Sequence, residues 1–544
     1  MPPTDGRPHD LATLLRTRAK THGSKPAFKF AEREIRYDEL DRETDRVAAG
    51  LRRSGLRAGD RVAALLFNTP EFLLLWFALA KLRAVLVPLN TALKGEILRY
   101  ELEDARPAGL VIDRRLWPVY ADVRSRSSIA HEWWTGPAEG DEPPSPVAAW
   151  SSLAVEGSVA DEAPDPWDPA AILYTSGTTG PPRGAVHVHD AVVAQVASAQ
   201  AALDLRSEDV LWCTADPGSP AATTYGVVAP LVLGATTILD EGDLEADHWY
   251  SVLEEEGVSV WYTTPTALRA LRRAGPEVAR SHDLSRLRFV ATTGEPLDPE
   301  LSAWAVDVFG LPVHDTWWQA ETGGIMIASP PSEAVRPGAL GRPLPGVDVA
   351  VLERNRLGVV TTAPAADPTV APPGASGELA LRTGWPSMFR AYLGDDARYR
   401  SRFVDGWYLT GDLARQDEAG YVWFAGRGDD AIDSAGHLVG PYEVESVLLQ
   451  HPAVAEVGVV GVPDPAVGET VAAFVALRPG IPASTELEDE LLGFARRQLG
   501  AGTAPRRIAF AKQLPHTDAG EIAHSLLRNT AVTLAQRPND GPQA

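Results

Sequence analysis

Apolar positions in the first third of the chain follow two alternating spacings. Between Leu40 and Leu51 they recur every three or four residues, which predicts a helix that ends at Gly55. Continuous apolar runs at 61–67 and 84–89 are typical of buried strands, and the apolar stretch 71–82 between them indicates a buried helix. This alternation predicts helices packed on a mostly parallel sheet.

A second series of the same kind occupies the middle of the chain. Strands are expected at 210–215, 258–263 and 287–294, and the apolar segment 222–239 belongs to the same βα series. A stretch rich in Pro, Ala and acidic residues at 136–169 separates the two series and reads as a surface connection.

The C-terminal part of the chain has a different pattern. Strand patterns at 454–462, 471–477 and 507–510 surround an acidic amphipathic helix at 486–499. This predicts a separate small α+β domain of roughly a hundred residues, a common domain size.

Charge and cysteine content narrow the class of partner and the compartment. The 544 residues include 73 Asp and Glu but 50 Lys and Arg, a formal net charge of -23, which argues against nucleic acid or an anionic membrane as the main partner. The single cysteine, Cys213, excludes an internal disulfide and fits a reducing cytoplasm. The N-terminus lacks a signal-peptide pattern, and the longest apolar stretch, 72–80, is too short to span a bilayer, so we expect a cytoplasmic protein.

The strongest local signal for chemistry is ILYTSGTTGPPRGAVHVH at 172–189. An apolar strand pattern ends at Tyr174. Six consecutive hydroxyl or glycine positions follow it: Thr175, Ser176, Gly177, Thr178, Thr179 and Gly180. Small residues let a backbone wrap a phosphate chain, hydroxyl and N–H groups donate to its oxygens, and Arg183 adds a fixed positive charge. The segment matches neither a Walker A loop nor a GxGxxG dinucleotide turn, but it predicts a phosphate-binding loop.

This loop and three further segments resemble the adenylate-forming superfamily of acyl-CoA synthetases, peptide-synthetase adenylation domains and luciferases. The segments at 212–226, 314–324 and 384–395 read WCTADPGSPAATTYG, HDTWWQAETGG and GWPSMFRAYLGD, and they are most similar to acetyl-CoA synthetases. The resemblance extends from about Tyr37 to Arg528, which is nearly the whole chain.

The resemblance implies an α/β fold with a large N-terminal domain of βα subdomains and a small, mobile α+β C-terminal domain. It places the AMP-binding domain at 1–427, a hinge at 428–430 around Asp429, the C-terminal domain at 431–530 and a polar tail at 531–544.

The resemblance also implies ATP, Mg2+ and coenzyme A, with a small carboxylic acid as substrate. In the family, the acid attacks the α-phosphate of ATP to give an acyl-adenylate and pyrophosphate, and the CoA thiol then takes the acyl group. Adenylation is needed because a carboxylate is a poor electrophile that lacks a good leaving group. The sequence leaves the oligomeric state open.

The family's nucleotide positions can be matched residue by residue. Arg183 takes the place of the phosphate-loop lysine, and Glu321 matches the Mg2+ carboxylate, a hard oxygen ligand that suits this ion. Asp412 matches the contact to the ribose hydroxyls, and Arg427 a second ribose or phosphate contact. The adenine-side and ribose positions are matched by Gly294, Glu295, Pro296, Asp315, Thr316, Trp317 and Gln319.

The implied acyl pocket differs from that of acetyl-CoA synthetases. Trp318 keeps the bulky residue that shortens the pocket in those enzymes. Ser219, however, stands where they carry a Trp, and Thr293 stands where they have an apolar residue. A wider and more polar pocket is implied, so acetate is not secured as the substrate.

The phosphate-facing positions also depart from the family. Arg183 keeps the charge of the loop lysine, but Ala320 replaces a Thr that donates to the adenylate phosphate, and Leu438 replaces an Arg after the hinge. The segment LPHTDAGEIAHSLLRN at 514–529 predicts a loop followed by a short helix from Ile522 to Arg528. Glu521 stands where the family has the lysine that reaches the acyl and α-phosphate oxygens. A positioned cation on a transferring phosphoryl group contributes roughly 10³–10⁵ in rate, and a carboxylate there repels the triphosphate instead.

Three functions remain open on this basis. The first is an acyl-CoA synthetase for a small or polar acid with altered catalytic groups. The second is an enzyme of the same fold that performs only one half-reaction, such as thioester formation from a supplied adenylate, or uses an acceptor other than CoA. The third is a catalytically inactive nucleotide- or CoA-binding protein with a regulatory role.

Overall fold

The computed structural model describes most of the chain between His9 and Ala531. The described residues are 9–126, 128–136, 144–157, 159, 163–175, 182–354, 360, 368–428, 430, 432–434, 437–464, 468–499, 503–516, 522–524, 526–528 and 531. The chain divides into two compact units: unit 1 comprises Met1–Val347 and Gly384–Ser401, and unit 2 comprises Asp348–Thr383 and Arg402–Ala544.

The strands of the described residues are β1 (Pro26–Phe30), β2 (Arg33–Arg36), β3 (Arg61–Leu65), β4 (Val85–Pro88), β5 (Gly109–Asp113), β6 (His131–Thr135), β7 (Ala148–Ala149), β8 (Pro169–Tyr174), β9 (Gly184–Val188), β10 (Val210–Cys213), β11 (Thr236–Leu239), β12 (Val260–Thr263), β13 (Phe289–Thr292), β14 (Val313–Trp317), β15 (Ile327–Ala328), β16 (Arg342–Pro343), β17 (Val349–Leu352), β18 (Ser376–Arg382), β19 (Ala391–Tyr392), β20 (Phe403–Val404), β21 (Trp407–Gln416), β22 (Val422–Arg427), β23 (Ile432–Ser434), β24 (His437–Val439), β25 (Val454–Asp464), β26 (Gly468–Leu477) and β27 (Arg507–Ala511). The α-helices are α1 (Leu11–His22), α2 (Tyr37–Arg53), α3 (Pro70–Leu82), α4 (Gly95–Ala105), α5 (Trp117–Arg124), α6 (Ala191–Leu203), α7 (Ala229–Leu233), α8 (Ala246–Glu255), α9 (Pro265–Ala274), α10 (Pro276–Arg280), α11 (Pro299–Phe309), α12 (Asp396–Ser401), α13 (Pro441–Leu448) and α14 (Thr485–Leu499).

Unit 1 is built on two large sheets. The nine-stranded sheet has the order β16-β15-β14-β13-β12-β10-β11-β1-β2, and the eight-stranded sheet has the order β19-β9-β8-β4-β3-β5-β6-β7. In each sheet the central strands pair in parallel, as between β12 and β13 or between β3 and β4. Strands β12 and β13 are buried along their whole length, which is typical of parallel sheets covered on both faces. The alternation of helix and strand patterns in the sequence is therefore confirmed.

Helix α3 is apolar on nearly all sides and belongs to the largest core of unit 1. Pro70 opens it at a position where the missing N–H costs no hydrogen bond, and Phe77 is wholly buried. The only cation of the helix, Lys81, has a fully buried side chain. Its Nζ lies 2.6 Å from Asp41 Oδ1 and 2.8 Å from Asp45 Oδ1, both on α2. Asp41 and Asp45 share one face because they are four residues apart, so the buried charge is paired as burial requires.

The carboxyl ends of β10, β12, β13 and β14 lie side by side at one edge of the nine-stranded sheet. Thr214 follows β10, Thr263 ends β12, Thr293 follows β13 and Trp318 follows β14. The N–H of Thr293 donates to the Thr263 carbonyl at 3.1 Å, and the Thr214 hydroxyl donates to the Thr263 hydroxyl at 2.7 Å, which shows how close these ends are. Ligands of open α/β sheets bind at this edge, which we call the carboxyl edge.

The apolar segment 222–239 contains an element that its spacing does not predict. Ala222–Val228 is a π-helix that continues into α7. The N–H of Ala229 bonds the carbonyl of Thr224, five residues back, where an α-helix would use the residue four back. Tyr225 lies inside this π-helix and is wholly buried. Because π-helices are rare and often occur at functional sites, the segment is a candidate part of the functional site.

Unit 2 contains two five-stranded sheets. The first has the order β17-β18-β21-β20 with β22 paired to β21, and the second has the order β24-β23-β26-β25 with β27 parallel to β26. Helices α13 and α14 share a core with the second sheet, so these elements form the small α+β domain expected at the C-terminus. The domain boundaries around residues 427 and 431 stay a prediction.

No helix in the described part of the chain is long and apolar enough to cross a membrane.

A surface histidine ties α8 to the residues that follow α10. His282 Nδ1 lies 2.9 Å from Glu254 Oε2, and His282 Nε2 lies 3.1 Å from Asp247 Oδ1. Partial burial works against the charged imidazolium, but the bonds to the two carboxylates outweigh it and raise the pKa of His282. The resulting stabilisation is fully present below the ordinary histidine pKa and is lost as the pH rises through the raised value.

We expect His282→Gln to lower the melting temperature most at about pH 6, and progressively less toward about pH 9, because the imidazolium loses its charge over this range. Thermal unfolding across this pH range measures the difference from wild type. His248→Gln is the matched control, since among the described residues His248 pairs with one carboxylate, that of Asp240. An equal difference at both ends of the range would contradict a charged His282.

Candidate active site

The predicted phosphate loop leaves β8 and returns into β9. The two strands are antiparallel neighbours, with Tyr174 opposite Gly184. The N–H of Thr175 donates to the Arg183 carbonyl at 3.0 Å, and the N–H of Arg183 donates to Thr175 Oγ1 at 3.3 Å. These two bonds close the base of the loop. The rest of the loop, Ser176, Gly177, Thr178, Thr179 and Gly180, lies outside the described residues, and its role stays a prediction.

Arg183 lines a polar cavity of about 290 Å³. Tyr100, Asp104 and Asp395 line the same cavity, so two carboxylates and the Arg183 guanidinium lie on its walls. The cavity leaves Arg183 reachable from solvent, as a phosphate-binding cation must be.

Asp315, at the carboxyl edge, uses its carboxylate to hold the backbone around it. Oδ1 accepts the N–H of Thr316 at 2.9 Å and the hydroxyl of Thr292 at 3.2 Å, and Oδ2 accepts the N–H of Leu297 at 3.4 Å. Burial raises the pKa of Asp315 to about 7, although these hydrogen bonds oppose the shift. The carboxylate thus ties the ends of β13 and β14 to the turn at 294–296.

The turn Gly294-Glu295-Pro296 combines an open backbone with an anchored side chain. Gly294 has a φ of +93° and open space where a side chain would start, so glycine is favoured and a ligand has room. The Glu295 carboxylate accepts the N–H of Thr266 at 2.7 Å and pairs with Arg269 at 2.7 Å, which fixes the turn to α9. The accessible part of the turn is therefore its backbone.

The segment Gln319–Gly324, which we call the Glu321 loop, is held through its backbone carbonyls. The Ala320 carbonyl accepts His187 Nε2 from β9 at 2.7 Å, and the Gly323 carbonyl accepts Gln195 Nε2 from α6 at 3.1 Å. Burial lowers the pKa of His187 to about 4, so its imidazole is neutral, and the carbonyl partner requires the proton on Nε2.

A second set of donors comes from the segment that begins at Gly384. The N–H of Phe389 donates to the Glu321 carbonyl at 2.9 Å. The Thr322 carbonyl accepts Trp385 Nε1 at 2.9 Å and Ser387 Oγ at 2.7 Å. Together with His187 and Gln195, these groups bond four consecutive carbonyls of the loop, from residue 320 to residue 323. Its conformation is therefore set by three separate parts of unit 1.

Glu321 has the environment of a cation ligand. The residue is buried, and Oε1 accepts the hydroxyl of Tyr392 at 2.6 Å. Among the residues that the structure describes, no donor bonds Oε2 of Glu321. An ionised carboxylate has about four acceptor positions, so Oε2 keeps the capacity to bind a hard cation. The donor set fits a Mg2+ ion held by Glu321 together with phosphate oxygens.

Trp318 is fixed at the carboxyl edge through its indole N–H. Nε1 lies 2.9 Å from Thr293 Oγ1 and 3.1 Å from the hydroxyl of Tyr262. The indole meets Tyr225 edge-on, with ring centroids 5.2 Å apart. Ser219 lies before the π-helix, and its Oγ accepts the first N–H of that helix at 3.3 Å. The structure thus brings Trp318 and Thr293 together and gives Ser219 a capping contact.

In unit 2, Asp412 and Arg427 lie directly opposite each other on β21 and β22. Arg427 Nη1 lies 2.6 Å from Asp412 Oδ1, so the two positions expected to contact the ribose form one ion pair. Asp429 lies outside the described residues, and Leu438 pairs with Asp433 between β24 and β23.

The C-terminal loop is anchored on the side that follows Glu521, a residue outside the described part of the chain. His524 Nε2 lies 2.6 Å from Glu445 Oε1. Burial opposes a charge on His524, but Glu445 outweighs it and raises the pKa of the imidazole. The expectation of a helix from Ile522 is wrong at its start, because Ile522 forms a β-bridge with His516. Among the residues that the structure describes here, His524 and residues 526–528 are helical.

Several residues that shape the site had no role in the sequence analysis. Tyr392 and Trp385 lie in a segment that carried the family resemblance but no assigned function, and His187, Gln195 and Tyr262 act by contacts across the sheet edge. No continuous sequence motif indicated these residues, because each contact joins residues more than fifty positions apart, as between His187 and Ala320.

Comparison with known proteins identifies the family. The AMP-binding enzyme family matches residues 15–393, and the AMP-binding enzyme C-terminal domain matches residues 443–521. The first match alone covers more than half of the chain. The chain therefore belongs to the AMP-binding enzyme family.

Similar proteins support the same assignment. Acetyl-coenzyme A synthetase of Bacillus subtilis is 38% identical over 514 residues, which cover 93% of this chain and 87% of that enzyme. The Pyrobaculum aerophilum acetyl-coenzyme A synthetase is 37% identical over 532 residues, with 92% and 78% covered. Among solved structures, the anthranilate CoA ligase AuaEII in complex with anthranoyl-AMP has a TM-score of 0.84 at 27% identity, with 97% of this chain and 98% of that chain covered. ATP-bound MatB from Rhodopseudomonas palustris has a TM-score of 0.81 at 27% identity, with 95% and 98% covered.

The expected fold and superfamily are confirmed by these comparisons. The chain has the α/β fold of adenylate-forming enzymes, with a large N-terminal and a small C-terminal domain. The roles of single site residues stay predictions that rest on the geometry described above.

We expect Tyr392→Phe to raise the Mg2+ concentration needed for half-maximal ATP–pyrophosphate exchange, because Glu321 loses the hydroxyl that orients it. A hydrogen bond to a charged group contributes about 1.5–3 kcal/mol, so the shift should be about tenfold or more. Tyr399→Phe is the control, since the ring of Tyr399 packs on Phe389. An unchanged Mg2+ requirement would show that Tyr392 does not position Glu321.

We expect Gly323→Ala to disrupt the Glu321 loop. A Cβ at this position would lie 2.3 Å from the Ser387 carbonyl oxygen and 2.7 Å from His187 Cε1. Overpacking of this kind costs about 1–3 kcal/mol, in addition to the cost of the φ of +64°. Gly346→Ala is the matched control, because Gly346 has a φ of +82° and open space beside it. Melting temperature and ATP affinity should fall further for Gly323→Ala than for the control; equal losses would refute the clash.

Proposed function

We propose that the chain activates a short carboxylic acid with ATP, as an acyl-adenylate, and transfers the acyl group to coenzyme A. It is then an AMP-forming acid–thiol ligase that uses ATP, Mg2+ and CoA, as its family membership and its acetyl-coenzyme A synthetase relatives support. The observation that carries the proposal is the Glu321 loop, which holds a buried carboxylate beside the carboxyl edge, with an Oε2 that no donor among the described residues bonds.

The first step joins the acid to the nucleotide. A carboxylate oxygen of the acid attacks the α-phosphorus of ATP, and the bond to pyrophosphate breaks. Mg2+, when bound, neutralises phosphate charge. Glu321 would hold this ion, oriented by Tyr392, while Arg183 and the hydroxyl and amide donors of 175–180 orient the phosphates. Asp412 would accept the ribose hydroxyls.

The second step transfers the acyl group. The thiol sulfur of CoA attacks the acyl carbon, the bond to AMP breaks, and the thiol proton is released. The fixed position of Trp318 at the carboxyl edge would orient the acyl group for this attack.

The phosphate donors that this chain lacks favour a second candidate, an enzyme restricted to thioester formation. Ala320 offers its carbonyl to His187 but has no hydroxyl to donate, a loss of about 1–3 kcal/mol. Glu521 and Leu438 remove two further donors of the family pattern. All three changes concern phosphate contacts of the adenylation step, whereas the Asp412–Arg427 pair is retained.

One experiment separates the candidates. ATP–pyrophosphate exchange is measured across a panel of short acids, and CoA-thioester formation is measured from a pre-formed adenylate. Exchange together with thioester supports the full ligase. Thioester without exchange supports the restricted enzyme. Nucleotide binding with neither product overturns both and leaves a catalytically inactive nucleotide-binding protein.

We expect Glu521→Lys to raise the exchange rate by about 10³-fold or more, the contribution of a positioned cation on a transferring phosphoryl group. Thioester formation from a supplied adenylate should change much less, because no phosphoryl bond forms in that step. Asp518→Lys is the matched control, since it makes the same change of charge three positions away. Equal gains in both variants would show that net charge, and not the position of Glu521, limits adenylation.

A further inference from the structure

Three side chains, from the π-helix, from β12 and from the residue after β13, contact the indole of Trp318 at the carboxyl edge. We call Tyr225, Tyr262, Thr293 and Trp318 the acyl floor cluster. Tyr225 and Tyr262 are wholly buried and Thr293 is nearly so, whereas Trp318 is partly exposed. The cluster therefore presents one aromatic surface on a rigid base.

The hydrogen-bond directions at Tyr262 follow from the protons available. Thr316 donates its hydroxyl to the Thr292 carbonyl at 2.7 Å, so it can only accept from Tyr262, whose hydroxyl lies 2.9 Å away. Tyr262 then has lone pairs for the indole N–H of Trp318. That single N–H is shared between Tyr262 and Thr293 and is closer to Thr293, at 2.9 Å.

Tyr225 supports the indole from the side. Its hydroxyl accepts the N–H of Ile325 at 2.5 Å and lies 2.7 Å from Ser198 Oγ. The ring is therefore fixed at its far end, and it meets both Trp318 and Tyr262 edge-on, at 85° and 79°. Rotation of the Trp318 side chain would break the indole hydrogen bond and lose this ring contact together.

We propose that Thr293, with Tyr262, is a specificity-determining positioning residue that locks Trp318 as the fixed end of the acyl pocket. The inference rests on the proposed function and deepens it by naming the residue that fixes the end of the pocket for the short acyl group. A longer acyl chain must displace the indole and break its hydrogen bond. A second carboxylate would be buried against four uncharged side chains, which is costly because no charge in the cluster pairs with it.

Thr293 is the distinguishing member of the cluster. An apolar residue at this position, as in the acetyl-CoA synthetases that the sequence resembles, offers no acceptor to the indole N–H. In this chain the Thr293 hydroxyl adds a hydrogen bond to the packing that would otherwise hold the indole alone. The wall behind a short acyl group is thus fixed by hydrogen bonds as well as by contact.

The test uses non-hydrolysable acyl-sulfamoyl adenosines, mimics of the adenylate whose binding needs no catalysis. Calorimetry compares the affinities of acetyl, butyryl and hexanoyl analogues for wild type, Thr293→Val and Thr293→Ser. We expect Thr293→Val to reduce the acetyl-to-hexanoyl affinity ratio by roughly three- to tenfold, the worth of one hydrogen bond. Thr293→Ser keeps the hydroxyl and should keep the wild-type ratio. Trp318→Gly, which removes the wall itself, should reduce the ratio further.

A second measurement tests the hydrogen bond of the Trp318 indole without any ligand. The chain has 15 tryptophans, so the indole N–H signal of Trp318 is assigned by its loss in Trp318→Phe. We expect faster hydrogen exchange of this N–H in Thr293→Val than in Thr293→Ser. The proposal is overturned if Thr293→Val leaves both the hydrogen-exchange rate and the affinity ratio unchanged. It is also overturned if the Val and Ser variants change both quantities by the same amount. If wild type binds neither AMP nor any analogue, the proposed function fails instead, and the lock fails with it as a determinant of specificity.

Discussion

The active-site geometry of this chain depends on the hydrogen bonding of four consecutive backbone carbonyls in the Glu321 loop. A loop of this kind buries polar backbone groups, and each unpaired group would cost a free energy comparable to that of a lost hydrogen bond. His187 and Gln195 supply side-chain donors, while the segment from Gly384 supplies both backbone and side-chain donors. The same segment carries Tyr392, which reaches the Glu321 carboxylate. One set of contacts therefore fixes both the path of the loop and the direction of its only acidic side chain.

The electrostatics of the site are local. With a net charge of -23, the molecule as a whole repels polyphosphates, so an anionic nucleotide depends on individual donors and on a bound cation. Arg183 shares a cavity with Asp104 and Asp395 in unit 1, and Arg427 pairs with Asp412 in unit 2, so each of these two cations has acidic neighbours. Under the proposed function, the loss of phosphate donors at Ala320 and Glu521 would therefore weaken the adenylation step.

Hydrophobic spacing predicted the elements well, and motif spacing predicted the family. The expected helix at 71–82 is α3, Pro70–Leu82, and the expected strand at 507–510 is β27, Arg507–Ala511, because long apolar runs leave few alternatives. The site was predicted only where a motif is continuous in sequence. Tyr392 and Tyr262 were missed because their contacts join residues 71 and 56 positions apart. The bridge between Ile522 and His516 was missed because a local β pairing overrode a helical pattern.

The π-helix at Ala222–Val228 has a consequence for how this chain can vary. A π turn holds one residue more than the α turn it replaces, and each residue turns an α-helix by about 100°. Deleting a single residue there would restore an ordinary helix and swing Tyr225 away from Trp318 and Ile325. The segment can therefore exchange side chains more freely than it can change length. A relative with an α-helical register at this point must bring its supporting aromatic ring from a different position along the chain.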